Sequence, residues 1–122
     1  MSWSNKYIGI PYADRDCYAL VRLVLEQECG TLIPPPENEV STYTTTGEAQ
    51  PIVESYWNPV PLDERRPMDV ALFQGTELCH CGVLVGRDRF LHTSEPTGAI
   101  VESLRDRYWS QRLEGVYRPK TA

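Results

Sequence analysis

Hydrophobic periodicity changes between the two halves of this chain, and that change narrows the fold more than any other feature. Cys17, Leu20, Val21, Val24 and Leu25 recur at intervals of three and four, while Arg22, Glu26, Gln27 and Glu28 fall mostly on the other side. That is the period of a helix with one buried face. Asp16 suits the N-cap and Gly30 the C-terminal stop, so the spacing predicts a helix over 17–29. From Val70 onward the apolar residues come instead in short runs: Val70 to Phe73, Cys79 to Val85, Phe90 to Thr93, Ala99 to Glu102, and a closing Gly115 to Pro119. These read as strands, with Gly86-Arg87-Asp88 suited to a tight reversal. A helix in front of an antiparallel meander is an α+β architecture.

The remaining segments are less regular. Ile8 to Ala13 reads as extended. Pro34-Pro35-Pro36 is followed by a loop to about Gly47, and Glu48 to Trp57 carries a narrow stripe of Ile52, Val53, Tyr56 and Trp57 that fits a short helix closed by Pro59 and Pro61. Ser103 to Leu113 has helical spacing through Leu104, Tyr108 and Leu113.

With 122 residues and 41% hydrophobic composition, the chain has material for one domain, 1–122, with one core that needs neither disulfides nor a structural metal. A net charge of −5, with basic residues scattered or mixed with acids, excludes the basic footprint of nucleic-acid binding. No apolar run reaches the length of a membrane span, and the polar Met1-Ser2-Trp3-Ser4-Asn5-Lys6 start does not resemble a signal peptide, so synthesis in a cytoplasm without an export address is expected. Cys17, Cys29, Cys79 and Cys81 have neither zinc-ribbon nor disulfide-framework spacing and are expected to stay reduced. His80 points to the opposite strand face from Cys79 and Cys81, so the three do not converge on one ion; no metal or other cofactor is expected.

The chemistry concentrates on Cys17 and two histidines. A first-turn cysteine lies where unpaired N–H groups and the helix dipole favour a thiolate, although a small buried core thiol fits the same position. His80 and His92 are the chain's two histidines, placed on consecutive strands. Their even offset puts both rings on one sheet face if the reversal is centred on a single residue, whereas a two-residue turn separates them. A thiol, an imidazole base and a group that orients the base are what nucleophilic cysteine catalysis requires.

Four segments resemble the NlpC-type cell-wall cysteine peptidases, which have a compact papain-like fold. Ile8-Gly9-Ile10-Pro11-Tyr12 is similar to the family's Gly-x-Pro-Tyr segment, and Asp16-Cys17-Tyr18-Ala19-Leu20-Val21 to its Asp-Cys-x-Gly-Leu-Val nucleophile helix. Pro67 to Phe73 resembles its Pro-Gly-Asp-Val-x-x-Phe strand. His80-Cys81-Gly82 through Phe90-Leu91-His92 resembles its His-x-Gly hairpin. Ala19 and Met68 stand where the family usually has glycine, and the loop between Tyr12 and Cys17 is shorter than in bacterial relatives.

The resemblance implies a helix packed on an antiparallel sheet, catalytic Cys17, His80 and His92, and substrate-binding roles for Tyr12 beside the thiolate and Asp16 at the substrate's amino end. It also implies peptidoglycan stem peptides as substrate, cleaved at the bond between γ-D-glutamate and a diamino acid. Tyr12 to Cys17 and the Gly115 to Pro119 ending look most like versions found in tail-assembly proteins of long-tailed bacteriophages. That implies other tail-tip proteins as partners and a virion location acting on the host wall. A tail-tip subunit using the fold mainly for docking, and an amidase or acyltransferase using the same triad, are the alternative readings. Tyr56-Trp57 and Tyr108-Trp109 are read as core or docking aromatics, and the arginines near 65, 87 and 105 as solvated surface or subunit contacts.

Overall fold

Burial of the helix stripe sets the architecture of the computed structural model, which describes residues 2–33, 57–74 and 80–120. Helix α1 spans Cys17–Cys29. Asp16 is extended and its Oδ1 accepts the Ala19 N–H at 2.9 Å, while the Gly30 N–H closes the other end on the Glu26 carbonyl at 3.0 Å. The buried face is Cys17, Tyr18, Leu20, Val21, Val24 and Leu25. At roughly 2 kcal/mol per large apolar side chain, this face holds the helix far more firmly than intrinsic propensity does.

The six strands are β1 Trp57–Val60, β2 Val70–Phe73, β3 His80–Leu84, β4 Arg89–Ser94, β5 Gly98–Ser103 and β6 Leu113–Pro119. They form one antiparallel sheet in the order β1-β6-β2-β3-β4-β5. β2 to β5 are the expected meander. β6 does not extend it but returns to lie between β2 and β1.

Three local expectations change. Trp57 does not end a helix but opens edge strand β1, where Pro59 is tolerated, and the rest of the expected 48–57 helix and the 34–47 loop lie outside the described residues. Only Arg107–Ser110 is helical in the 103–113 stretch, a single turn called α2, because Ser103 ends β5 and Leu113 starts β6. Ile8 to Ala13 follows a 3₁₀ turn at Trp3–Tyr7 and is itself no strand: Gly9 and Ile10 pair with Ala99, at 2.8 and 2.9 Å, and the chain then turns at Pro11.

Strand alternation divides the core. On one face Val70, Leu72, Cys81, Val83, Leu91 and Ala99 pack with the α1 stripe, and α1 contacts β3 and β4. On the other, Ala71, Phe73, Leu84, Phe90 and Val116 pack with Leu104 and Trp109. Among the described residues no helix is long and apolar enough to cross a membrane.

A buried carboxylate ties the turn before β2 to the last strand. Asp69 is 1% exposed; it accepts Arg118 Nε at 2.7 Å and Nη2 at 2.9 Å, and also the Arg66 N–H at 3.0 Å. The Asp69 N–H returns to the Arg66 carbonyl at 3.1 Å, which closes a turn with Pro67 second and Met68 third. Met68 has φ of 76° at the turn position where glycine is normally favoured, and its side chain packs against the α1-side core. That conformation costs a non-glycine residue about 1 kcal/mol, partly offset by the packing.

Of the arginines near 65, 87 and 105, Arg87 and Arg105 are exposed as expected, while Arg65 is held in place. Arg65 bonds Asp88 at 2.8 Å and the carbonyls of Leu62 and Arg87 at 2.7 Å each, and Arg105 also reaches Asp88, at 3.2 Å. They clasp the β3–β4 turn.

Asp69→Ala should therefore lower unfolding stability by about 3 kcal/mol, since it leaves a half-buried guanidinium and a backbone N–H without their acceptor. Urea titration checks this, and a change under about 0.5 kcal/mol would show the ion pair to be dispensable.

Candidate active site

The site forms where α1 begins and β3 begins. Val83 faces Leu91 and Leu84 faces Phe90, and the Val85 N–H bonds the Arg89 carbonyl at 2.9 Å. The reversal is thus centred on Arg87, a single residue, and the parity condition for the histidines is met. His80 Nε2 and His92 Nδ1 lie 2.7 Å apart, with the rings nearly perpendicular.

Two neighbours make that approach possible. A Cβ on Gly82 would stand 2.7 Å from the Leu91 carbonyl oxygen, 2.9 Å from Phe90 Cδ2 and 3.0 Å from His92 Cβ, so only glycine fits between the strands here. Trp109 stacks on His80 at 5.4 Å and meets His92 edge-on at 4.8 Å, against Phe73 and Phe90. It is a core aromatic that also walls the imidazoles.

Beyond His92 the chain of contacts continues. His92 is 2% exposed, and its Nε2 lies 2.6 Å from Glu102 Oε2 on β5. A carboxylate only accepts, so Nε2 carries the proton and Nδ1 is left to accept from His80 Nε2–H. Burial, then the neighbouring His80, pushes His92 down to about 4, and the Glu102 bond opposes this only in part. His92 is therefore a neutral ring near neutral pH.

Cys17 sits at the other end. Its thiol is lowered to about 5, first by a hydrogen bond from the Cys81 thiol, then by the hydrogen bond and charge of His80 and by the Cys81 backbone N–H, all against the cost of burial. The two thiols share the α1-side core, whereas His80 belongs to the opposite strand face and reaches Cys17 from the start of β3. With Nε2 engaged by His92, Nδ1 is the His80 nitrogen available to the sulfur. Cys17, Cys29 and Cys81 are reduced thiols; Cys79 lies outside the described residues.

The two residues expected to bind substrate are placed as follows. Tyr12 lines an open cavity of about 650 Å³ with Gly9, Pro11, Ala13, Glu95, Thr97 and Gly98. Burial raises its phenol, and the charges of Cys17, Asp16 and Glu95 raise it further, which puts Tyr12 within electrostatic reach of the Cys17 thiol. Asp16 is exposed and its carboxylate is occupied as the helix cap.

Three site residues were missed in the sequence. Glu102 had a usable signal: its offset of ten from His92 is even, which places both on one face if the β4–β5 turn centres on one residue, as the pairing of Ser94 with Gly98 shows that it does. Cys81 and Trp109 had none, because their contacts depend on tertiary packing.

A lowered thiol at a helix start, an imidazole bonded to it and a second ring bonded to the first are the parts that nucleophilic cysteine chemistry requires. The chain belongs to the NlpC/P60 family, which it matches over residues 4–118. It is 30% identical over 104 residues to the murein DD-endopeptidase MepS/murein LD-carboxypeptidase of Escherichia coli (strain K12), an alignment covering 84% of this chain and 48% of that protein. The chain thus spans about half the length of the curated relatives it matches. Among solved structures, an NLP/P60 protein similar to lipoprotein from Staphylococcus aureus subsp. aureus Mu50 superposes with a TM-score of 0.68 at 23% identity, over 94% of this chain and 38% of that one. The NlpC/p60 domain of the peptidoglycan hydrolase SagA gives 0.64 at 20% identity, over 94% and 92%. Both share the α+β fold.

The lowered thiol sets a kinetic signature. A thiolate is the reactive form, so a lowered midpoint means that alkylation has already levelled off at neutral pH. Iodoacetamide should label Cys17 ahead of Cys29, Cys79 and Cys81, with half-maximal rate near pH 5. Removing either donor, by His80→Ala or Cys81→Ala, should move the midpoint up toward the ordinary thiol range. Equal labelling of all four cysteines in the folded protein would contradict the assignment.

Proposed function

We propose that this protein is a thiol hydrolase of peptidoglycan stem peptides, and the observation that carries the proposal is the continuous contact from the Cys17 thiol through His80 to His92. The Cys17 thiolate attacks the amide carbonyl carbon. His80, as the imidazolium, passes its proton to the departing amine, so a thioester and a free amine form and His80 is left neutral. Neutral His80 then takes a proton from water as it attacks the thioester, which releases the acid and restores the ion pair. His92 orients the His80 ring. The Cys17 N–H in the first turn and the Tyr12 hydroxyl are the donors proposed for the oxyanion, at about 3 kcal/mol for each well-placed donor.

The substrate class is supported by what the relatives are named for, murein and peptidoglycan hydrolysis. The bond proposed is γ-D-glutamyl to diamino acid, with Asp16 meeting the substrate's amino end and Tyr12 beside the reacting carbonyl. The proposed setting is a bacteriophage tail tip, in contact with other tail proteins, where the enzyme is made in the host cytoplasm, carried in the virion and applied to the wall; its support is the resemblance of Tyr12 to Cys17 and Gly115 to Pro119 to tail-assembly proteins.

Incubation with purified peptidoglycan followed by mass spectrometry of released fragments tests the reaction and identifies the bond. Cys17→Ala should release nothing while folding normally, and undiminished release would refute the mechanism. His92→Asn, whose amide oxygen still accepts from His80, should keep more activity than His92→Ala, whereas His80→Asn should be as inactive as His80→Ala because an amide does not shuttle protons near neutral pH. Equal losses in His92→Asn and His80→Asn would end this division of roles.

A further inference from the structure

Glu102 lies outside the three residues assigned to the reaction, yet it makes the shortest side-chain contact in the relay. Its Oε2 stands 2.6 Å from His92 Nε2, and its side chain is 36% exposed against 2% for His92. The ring therefore has one edge toward His80 and the other toward a carboxylate that solvent also reaches. Besides the Cys17 thiolate of α1, which faces His80, the described neighbours of the imidazole pair are the Cys81 thiol of β3 and the neutral rings of Phe73, Phe90 and Trp109.

A neutral imidazole has two tautomers, and only one serves here. With the proton on Nε2, His92 Nδ1 accepts from His80 Nε2–H. With the proton on Nδ1, two N–H groups would face each other across 2.7 Å whenever His80 is the imidazolium that the thiolate needs. The Glu102 carboxylate accepts and cannot donate, so it selects the first tautomer.

We propose that Glu102 is a positioning residue that acts through His92, holding that ring in its Nε2–H form and placing a fixed negative charge behind the His80–His92 pair. The catalytic consequence rests on the hydrolase reading above; the tautomer does not. The charge has a sign that can be read. An anion behind the pair favours the protonated pair, so removing it should shift the alkaline limb of the kcat/KM profile downward.

The test compares the parent, Glu102→Ala and Glu102→Gln. Nitrogen-15 shifts of the ring should show His92 protonated at Nε2 in the parent and a mixture of tautomers in Glu102→Ala. With peptidoglycan fragments as substrate, Glu102→Ala should lower kcat about tenfold with KM little changed, as for other partners that orient a reacting ring. Glu102→Gln retains an acceptor oxygen but no charge, so it should keep more kcat than alanine while showing the same downward shift of the alkaline limb. If alanine fails to fold, the glutamine variant still carries the pH test. A parent His92 protonated at Nδ1, or an alkaline limb unmoved in both folded variants, overturns the proposal. If the parent shows the Nε2–H ring but digests no peptidoglycan, the tautomer assignment stands and the hydrolase reading fails.

Discussion

The β3–β4 hairpin turns about Arg87, and the distance between the two imidazoles follows from that register. With Val83 opposite Leu91, even-numbered residues of both strands share a face, and His80 and His92 meet at 2.7 Å. A slip of one residue would move one ring into the α1-side core and put a Leu or Thr in its place. The clasp of Arg65 and Arg105 on Asp88, and the Leu104 N–H on the Asp88 carbonyl at 2.7 Å, hold the turn from outside. Gly82 lets the strands close from inside. The surface ion pairs here contribute little stability singly, but they bear on a geometry that the site cannot lose.

Cys17 stands at a boundary between two layers. Cys17 and Cys81 belong to the core beneath α1, while His80, His92 and Glu102 lie with Trp109 on the other side of the sheet. The Cys17 thiol is lowered by donors from β3, chiefly the Cys81 thiol, so the strand that carries His80 also carries the groups that lower it.

Much of this was legible in the residues. Helix 17–29 was, because its cap, stripe and stop agree with one another, and the strands from 70 to 102 were, because each is a short apolar run bounded by turn formers. The histidine pair was legible up to the parity of the turn. What escaped was whatever depends on return of the chain: β6 slotting between β1 and β2, Trp57 in an edge strand despite its helical stripe, and the single turn left of the 103–113 segment once β5 and β6 claim its ends. Asp69 read as part of a motif, but its partner Arg118 is 49 residues away, and no local spacing announces such a pair.

The segment that carries Tyr12 is not an independent flap. Gly9 and Ile10 are bonded in both directions to Ala99, and Gly98 packs so closely there that a Cβ would stand 2.8 Å from the Ile10 carbonyl oxygen. Ala99 in turn pairs with Thr93, the neighbour of His92. The wall of the cavity and the strand of the orienting ring are thus one mechanical linkage. Main-chain bonds run from the Tyr12 segment through β5 to β4, the strand that carries His92.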